Sequence, residues 1–434
     1  MNPLYRNDRP GEYPASWYAA STTLPPPRVQ LHGDHRVDAC VIGAGYTGLW
    51  AAKTLAERGL RVIVLDAHRA GFGASGRNGG QVGTGYNKGQ IWLENRLGET
   101  RARALWDIAE DAKAQLVNFC TTSAPEARYR PGVAHGEYSA TEGRDVQAET
   151  EFLHKRYGYD KIVSLDQAGF QALVKSPLYK AGQLDRGAGH IHPLRYALAL
   201  ANAAEAAGAV IFEQSEAISV TEGAPAVVKT PLGSVTADWV VVAGNGYLPN
   251  IVPKVPAHVM PINSFIGATE PLGPLAQQVL AEDIAVADSK FVVNYYRLSE
   301  DGRFLFGGRE SYSMGFPKDI GTALQARMVS LFPQLKDVRI DHIWGGTLAI
   351  TMSRLPYVTR VGSNIMSASG YSGHGVALAG MAGRVMAEAI LGQAERFDVM
   401  GTLPVSAFPG GSSLRAPLLT LAMTWFALRD RLGI

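Results

Sequence analysis

The sequence predicts an α/β fold, α+β overall, in which a parallel-sheet domain is interleaved with a β-rich domain covered by helices. Three observations predict it. Residues 37–66 hold a complete strand–helix–strand unit. Buried-strand patterns recur in the middle and toward the end of the chain, with strand-and-turn patterns between them. Glycine is also in excess, 48 of 434 residues, or about 11% against a usual ~7%. The excess is not periodic, which excludes a collagen-like chain and points to backbone that lies close against something.

Residues 37–42 (VDACVI) read as a short apolar strand, followed by GAGYTG at 43–48. Leu49, Ala52, Leu55 and Ala56 then share one face of a helix over 49–58. Gly59 ends it, and a second buried strand, RVIVL at 61–65, closes on Asp66. Leu97, Ala104, Leu105, Ile108, Ala112, Leu116 and Phe119 predict one long helix over 95–122. A helix over 194–207 ends at Gly208, a strand begins at 210–212, and 239–243 (WVVVA) is again fully apolar. From 259 to 306 the pattern turns strand-like, with runs at 291–298 and 303–306 joined by Glu300-Asp301-Gly302. Helical 323–332, a strand at 364–367 and a helix at 376–390 complete the series. The segments divide into an N-terminal arm (1–36), a discontinuous dinucleotide domain (37–90, 185–250 and 340–400), a second domain (91–184 and 251–339) and a C-terminal helical tail (401–434).

Composition narrows the function. Lys plus Arg number 41 and Asp plus Glu 39, a net charge of +2, which argues against nucleic acid as a partner. Two cysteines, Cys40 and Cys120, cannot build a disulfide framework or a zinc site; a reducing, cytoplasmic setting fits. No metal spacing stands out, and no metal is expected. Residues 1–28 are rich in Pro, Tyr and Arg and lack the apolar core of a signal peptide. The apolar stretch 416–428, with Thr420, Thr424 and Trp425, is shorter than the ~20 residues of a bilayer span. It reads as a helix packed on the body or a partner subunit, with a membrane-surface contact as the alternative.

The chemistry starts at Gly43-x-Gly45-x-x-Gly48. It follows a strand, opens a helix, and precedes an acidic residue at the end of the next strand, Asp66, 18 residues after Gly48. That context is the dinucleotide fingerprint. Gly43 permits the turn, Gly45 lets a pyrophosphate approach the backbone, and Gly48 lets helix pack on strand. The helix N-terminus attracts phosphate, and Asp66 suits a ribose diol. A second cluster, GFGASGRNGGQVGTG at 71–85, follows directly. A nicotinamide site has no need of it; a flavin, passing several backbone segments, does. Ala74, Ser75, Gly76, Gly79 and Gly80 would turn N–H groups toward it, Asn78 and Gln81 could bond its edge, and Arg77 is either a phosphate contact or a structural ion pair. Ala243-Gly244-Asn245-Gly246 offers close approach at a strand end. Gly370 to Gly375 precedes the helix from Val376, whose dipole would stabilise negative charge on a reduced flavin.

Together these motifs resemble the D-amino-acid-oxidase-like FAD oxidoreductases, and within them the gamma-glutamylputrescine oxidoreductase family of polyamine catabolism. The resemblance spans almost the whole chain: SWYAAS at 16–21, residues 41–48, GASGRNGGQ at 73–81, ATEPL at 268–272, GRFLFGGR at 302–309, WGG at 344–346, GYSGHGVAL at 370–378, GQAERFD at 392–398 and FPGG at 408–411. It implies a Rossmann-type FAD-binding domain, a β-rich substrate domain, an amine substrate, an imine or aldehyde product, and oxygen or another electron acceptor. Tyr46, Thr47, Ala67, Ala217, Ile218, Thr347, Gly373, His374 and Gly375 complete the expected cofactor contacts.

Members that attach FAD covalently use a Cys in the C-terminal half or a His near the N-terminus. No Cys follows Cys120 and the GRNGGQ loop has no His, so noncovalent FAD is expected. Amino-acid oxidases of the superfamily often carry a Gly-Leu-Arg-Pro-like stretch whose Arg clamps the substrate carboxylate. Here residues 345–349 read GGTLA, without Arg, which favours an amine whose oxidised carbon is a plain CH2. Arg309 or Arg297 could hold a remote carboxylate. The expected reaction is hydride transfer to flavin N5, with Tyr295, Tyr296 and Trp344 as an aromatic wall around the amine and His374 reaching flavin or substrate. The gamma-glutamylated amine and H2O2 reading has one alternative: an N-methyl- or D-amino-acid (opine-type) dehydrogenase passing electrons to a quinone or carrier.

Overall fold

Two sheets organise the chain in the computed structural model, which describes residues 4–311 and 315–411, the Arg309 side chain excepted. The first sheet runs in the order Tyr357–Arg360, Ile365–Ser369, Gly233–Val242, Gly33–Ile42, Val62–Leu65, Val210–Phe212, with Ala226–Thr230 and Ser219–Thr221 added beside Gly233–Val242. Gly33–Ile42 lies parallel to both Gly233–Val242 and Val62–Leu65. Parallel strands buried on both faces read as continuous apolar runs, which is why VDACVI, RVIVL and WVVVA are legible. Sheet neighbours on opposite sides of Gly33–Ile42 create the switch point where such folds place a ligand, beyond the carboxyl ends of the strands.

The helices Tyr46–Ala56, Glu99–Thr122, Pro193–Ala206 and Gly375–Ile390 bury Leu49, Leu55, Leu105, Leu116, Ala197 and Met381 in one core against this sheet. The predicted long helix is two, Gln90–Leu97 and Glu99–Thr122, broken at Gly98 with φ +83°. That conformation suits glycine and cannot continue a right-handed helix. Its longer part belongs to the cofactor-side core, not to the second domain where 91–184 places it.

The second sheet runs Ile340–Ile350, Met260–Pro271, Arg303–Ser311, Tyr295–Leu298, Ala285–Asp288, Arg130–Glu137, Ala181–His190, Gln81–Val82, with Ile162–Asp166 beside Ala181–His190. Three segments that the predicted limits give to the dinucleotide domain (residues 81–82, 185–190 and 340–350) are therefore strands of this second sheet. A domain limit read from composition does not say which sheet will hydrogen-bond a segment. Phe265, Tyr296, Phe304, Phe306 and Phe332 fill the core beneath, covered by the helix Gly321–Leu331.

The arm before Gly33 crosses the cofactor-side loop. Tyr13 donates to the Ala70 carbonyl at 2.7 Å, and Arg77 meets Asp8 at 2.8 Å. No helix among the described residues is long and apolar enough to cross a membrane. The 416–428 segment lies outside the described residues, as does most of the predicted tail.

Candidate cofactor and substrate site

At the carboxyl ends of Gly33–Ile42, Val62–Leu65 and Gly233–Val242, a cavity of about 1170 Å³ opens between the glycine clusters. Gly43 (φ +107°) turns the chain against Ala243: a Cβ there would stand 2.8 Å from the Ala243 carbonyl oxygen. A Cβ on Gly45 would stand 2.9 Å from Ser75 Oγ, which accepts the Tyr46 N–H at 3.0 Å. Gly48 packs against the Gly43 carbonyl, and Thr47 Oγ1 meets Tyr371 Oη at 2.7 Å. Two helix N-termini, those of Tyr46–Ala56 and Gly375–Ile390, thus face one space. No Lys or Arg lines it among the described residues, so a phosphate there would meet backbone N–H groups and helix ends rather than a cation.

Asp66 stands at the far end. Its carboxylate accepts the N–H groups of Ala44 and His68, both at 2.8 Å. Burial pushes its carboxyl up to about 6, against those two bonds. Ala67 and Ala217 line the same end. Ile218 does not: its side chain is 49% exposed and its N–H donates to the Lys229 carbonyl at 2.8 Å. Leu4, His68, Glu216, Tyr247, Leu248, Pro249 and Leu348 complete the wall and went unread in the sequence. Leu348 comes from the strand Ile340–Ile350 and Tyr247 from a short 3-10 turn, and the others from loops with no motif, brought together by elements far apart in the chain.

Past Ala74, Asn78, Leu348, Ser372, Gly373 and Val376, which wall both, the cavity continues into a second of about 1200 Å³. Gln81 and Gly79 face it, and Gln81 Nε2 also donates to the Val286 carbonyl at 2.8 Å. Asn78 spends its amide on the loop itself, donating to the Ala74 and Ser75 carbonyls and accepting the Gly80 N–H. Gly76 and Gly80 are packing positions, against Gly71 and Ile191. Gly246 packs on Leu348, and Asn245 Oδ1 accepts the Gly370 N–H at 3.0 Å, tying the third cluster to the fourth. Thr347 is behind the wall: its N–H donates to Tyr247 Oη and its hydroxyl to Asn263.

Of the three predicted wall aromatics, only Tyr295 faces the second cavity. It hydrogen-bonds Ser264 Oγ at 3.0 Å, and its ring covers Gly79 and Gly307. Tyr296 points the opposite way, into the core, donating to Tyr179 Oη at 2.9 Å. Successive strand residues face opposite sides, so the Tyr-Tyr pair supplies one wall residue. Trp344 is buried against Tyr18 and donates to the Arg77 carbonyl at 2.9 Å; it supports the loop from behind.

The arginines are redistributed too. Arg297 is sealed by the Gly79 and Ile191 carbonyls at 2.9 and 3.0 Å and does not face either cavity. Arg77 is the structural ion pair of the two alternatives: it bonds Asp8 and the Phe72 and Gly345 carbonyls. Arg309 occupies the strand opposite Phe265, with its side chain outside the described residues. Arg354, unread in the sequence, lines the second cavity at φ +65° over the Phe291 ring. Among the described residues it pairs with no carboxylate. His374 lines the same cavity; its Nε2 has no partner among the described residues, and burial lowers its imidazole to about 4.

This fold and this cradle define an enzyme built around an extended dinucleotide. The family model described as FAD dependent oxidoreductase, DAO, matches residues 38–389, and the chain belongs to that family. It is 41% identical to the Rhizobium meliloti protein named "Probable oxidoreductase OrdL" over 96% of this chain and 97% of that one. It is 38% identical to the gamma-glutamylputrescine oxidoreductase of Escherichia coli over 98% and 100%. Glycine oxidase from Geobacillus kaustophilus shares the fold, with a TM-score of 0.68 at 20% identity over 83% of this chain and 95% of that one. The chain is an FAD-dependent oxidoreductase. Its glycine turns, two helix N-termini and Asp66 fit the cofactor: a Cβ at Gly45 would occupy the cradle, and no cation competes for it.

Proposed function

We propose that the chain oxidises the CH–NH bond of an amine that carries a carboxylate remote from the reacting carbon, as in a gamma-glutamylated polyamine. The imine formed hydrolyses to an aldehyde, and oxygen takes the electrons as H2O2. The single observation that carries the reading is Arg354, a cation in the substrate cavity without a carboxylate partner among the described residues. Residues 345–349 supply no Arg beside it. The 38% identity to a gamma-glutamylputrescine oxidoreductase points the same way.

FAD supplies the two-electron acceptor. The chain supplies the rest. Gly43 and Gly45 with Tyr46 and Thr47 would cradle the pyrophosphate, Gly48 keeps the helix packed on its strand, and Asp66 and Ala67 would hold the ribose. Ala74, Asn78, Gly79 and Gln81 would line the ring system, and Gly375 and Val376 would present a helix N-terminus to it. Tyr295 presents an aromatic face to the amine, and Arg354 fixes the distal carboxylate. His374, neutral above pH 4, offers Nε2 as a hydrogen-bonding group without charge. Positioning of this kind is the main contribution a protein makes to a cofactor reaction. Cys40 and Cys120, buried and free, suit a cytoplasmic enzyme.

Peroxide release from gamma-glutamylated amines, free diamines, sarcosine and glycine tests it. We expect the gamma-glutamylated amines to have the highest kcat/KM, and Arg354→Gln to raise their KM while leaving that of free diamines unchanged. Faster turnover of glycine or sarcosine contradicts the reading; flavin bleaching without peroxide marks the dehydrogenase alternative.

A further inference from the structure

An amine oxidation by hydride loss starts from the free base, yet an alkyl ammonium with an ordinary value near ~10.4 is almost entirely protonated at neutral pH. A basic group in the site would raise the fraction of bound amine that can react. His374 is a poor acceptor, since burial holds its imidazole down at about 4. His135 stands nearby. It lines the substrate cavity together with Tyr295 and His374, and also the adjoining cavity that Gln81, Gly373 and His374 share with it. His135 belongs to the strand Arg130–Glu137. Two residues on, Glu137 projects from the same face, 4% exposed, and its Oε1 lies 2.8 Å from His135 Nδ1.

The carboxylate only accepts, so the neutral imidazole carries its proton on Nδ1 and donates it to Glu137. Nε2 is left with a free lone pair. A buried carboxylate behind a histidine also stabilises the imidazolium once it forms, as in other acid–base pairs. The strand residues opposite His135 are Gln183 and Ala287, neither of which titrates. Among the described residues, the charged groups on the substrate-cavity wall are Arg77, Arg354 and Glu310, and on the adjoining wall Lys88, Glu149 and Asp185. Arg77 is held by Asp8, Asp185 by Thr84 and Tyr159, and Glu149 by the Gln90 and Ile91 N–H groups. Among the described residues, Glu137 alone makes a direct bond to the His135 ring.

We propose that the Glu137–His135 dyad is the proton acceptor for the substrate ammonium. One N–H bond of the ammonium breaks, its electron pair stays on nitrogen, and an N–H bond forms at His135 Nε2. This rests on the amine reading above.

The test is anaerobic flavin reduction by a gamma-glutamylated amine in the holoenzyme, followed against pH. In His135→Gln the rate at pH 7 should fall about 100-fold, within the usual range for a lost general base. It should then climb tenfold per pH unit until it meets the parent's rate. Glu137→Gln should shift the profile the same way by less. A structural lesion lowers the rate by one factor at every pH. A second readout is 15N NMR of the histidine rings: the resonance absent from His135→Gln should change from neutral to doubly protonated when amine saturates the site. A variant profile parallel to the parent's, or an unchanged ring resonance, overturns the inference alone. A parent that no amine reduces overturns the amine reading and this inference together.

Discussion

The Asp66 carboxylate accepts the Ala44 N–H at 2.8 Å, so the end of one strand holds the glycine turn at the end of its neighbour. Burial raises that carboxyl to about 6. In the apoprotein its contribution to stability is therefore present at low pH and lost as pH rises through about 6. FAD binding runs the other way, because ribose hydroxyls donate to the ionised form. Affinity of the apoprotein for FAD, read by flavin fluorescence, should weaken as pH falls below 6, by up to about tenfold per unit. Asp66→Asn should bind weakly at all pH without that slope.

Gly45→Val fills the cradle beside Ser75 Oγ. Overpacking costs about 1–3 kcal/mol, so FAD affinity should drop roughly 10–100-fold while the far-ultraviolet circular dichroism stays that of the parent. Full flavin content after gel filtration would contradict the role assigned to Gly45.

Tyr295 and Tyr296 separate function from packing. Tyr296→Phe removes the bond to Tyr179 in the core and should cost about 1–3 kcal/mol of stability, with KM unchanged. Tyr295→Ala should raise KM for the amine with a smaller change in Tm. Thermal melts and steady-state kinetics on both variants decide it.

Asp8 and Arg77 join the N-terminal arm to the flavin-side loop. Their side chains are 9% and 1% exposed. Asp8→Ala leaves the guanidinium without its carboxylate and should cost about 3–5 kcal/mol. The expected signs are a lowered Tm and faster proteolysis within the arm.

Much of the cofactor half is legible in the sequence because glycine's missing Cβ is needed wherever backbone meets backbone or cofactor. Gly43, Gly45, Gly48 and Gly375 stand where such contacts require them. The substrate half is less so. Tyr295 and Tyr296 are equivalent in sequence, and only the pleat decides which one faces the cavity. Arg297 and Arg354 are likewise alike until carbonyls seal the first and leave the second facing the space. Ile340–Ile350 shows why domain limits resist reading: its sheet partner, Met260–Pro271, is set by tertiary pairing and leaves no mark on its own sequence. Glu137–His135 carried no spacing signal beyond strand alternation.

The central claim is that an amine delivers its electrons to FAD bound in this cradle. The FAD-bound protein, mixed with a gamma-glutamylated diamine in the absence of oxygen, tests it most directly. The flavin absorbance should bleach completely and return, with peroxide, when oxygen is admitted. A flavin that stays oxidised with that amine and with every other amine tried would contradict it.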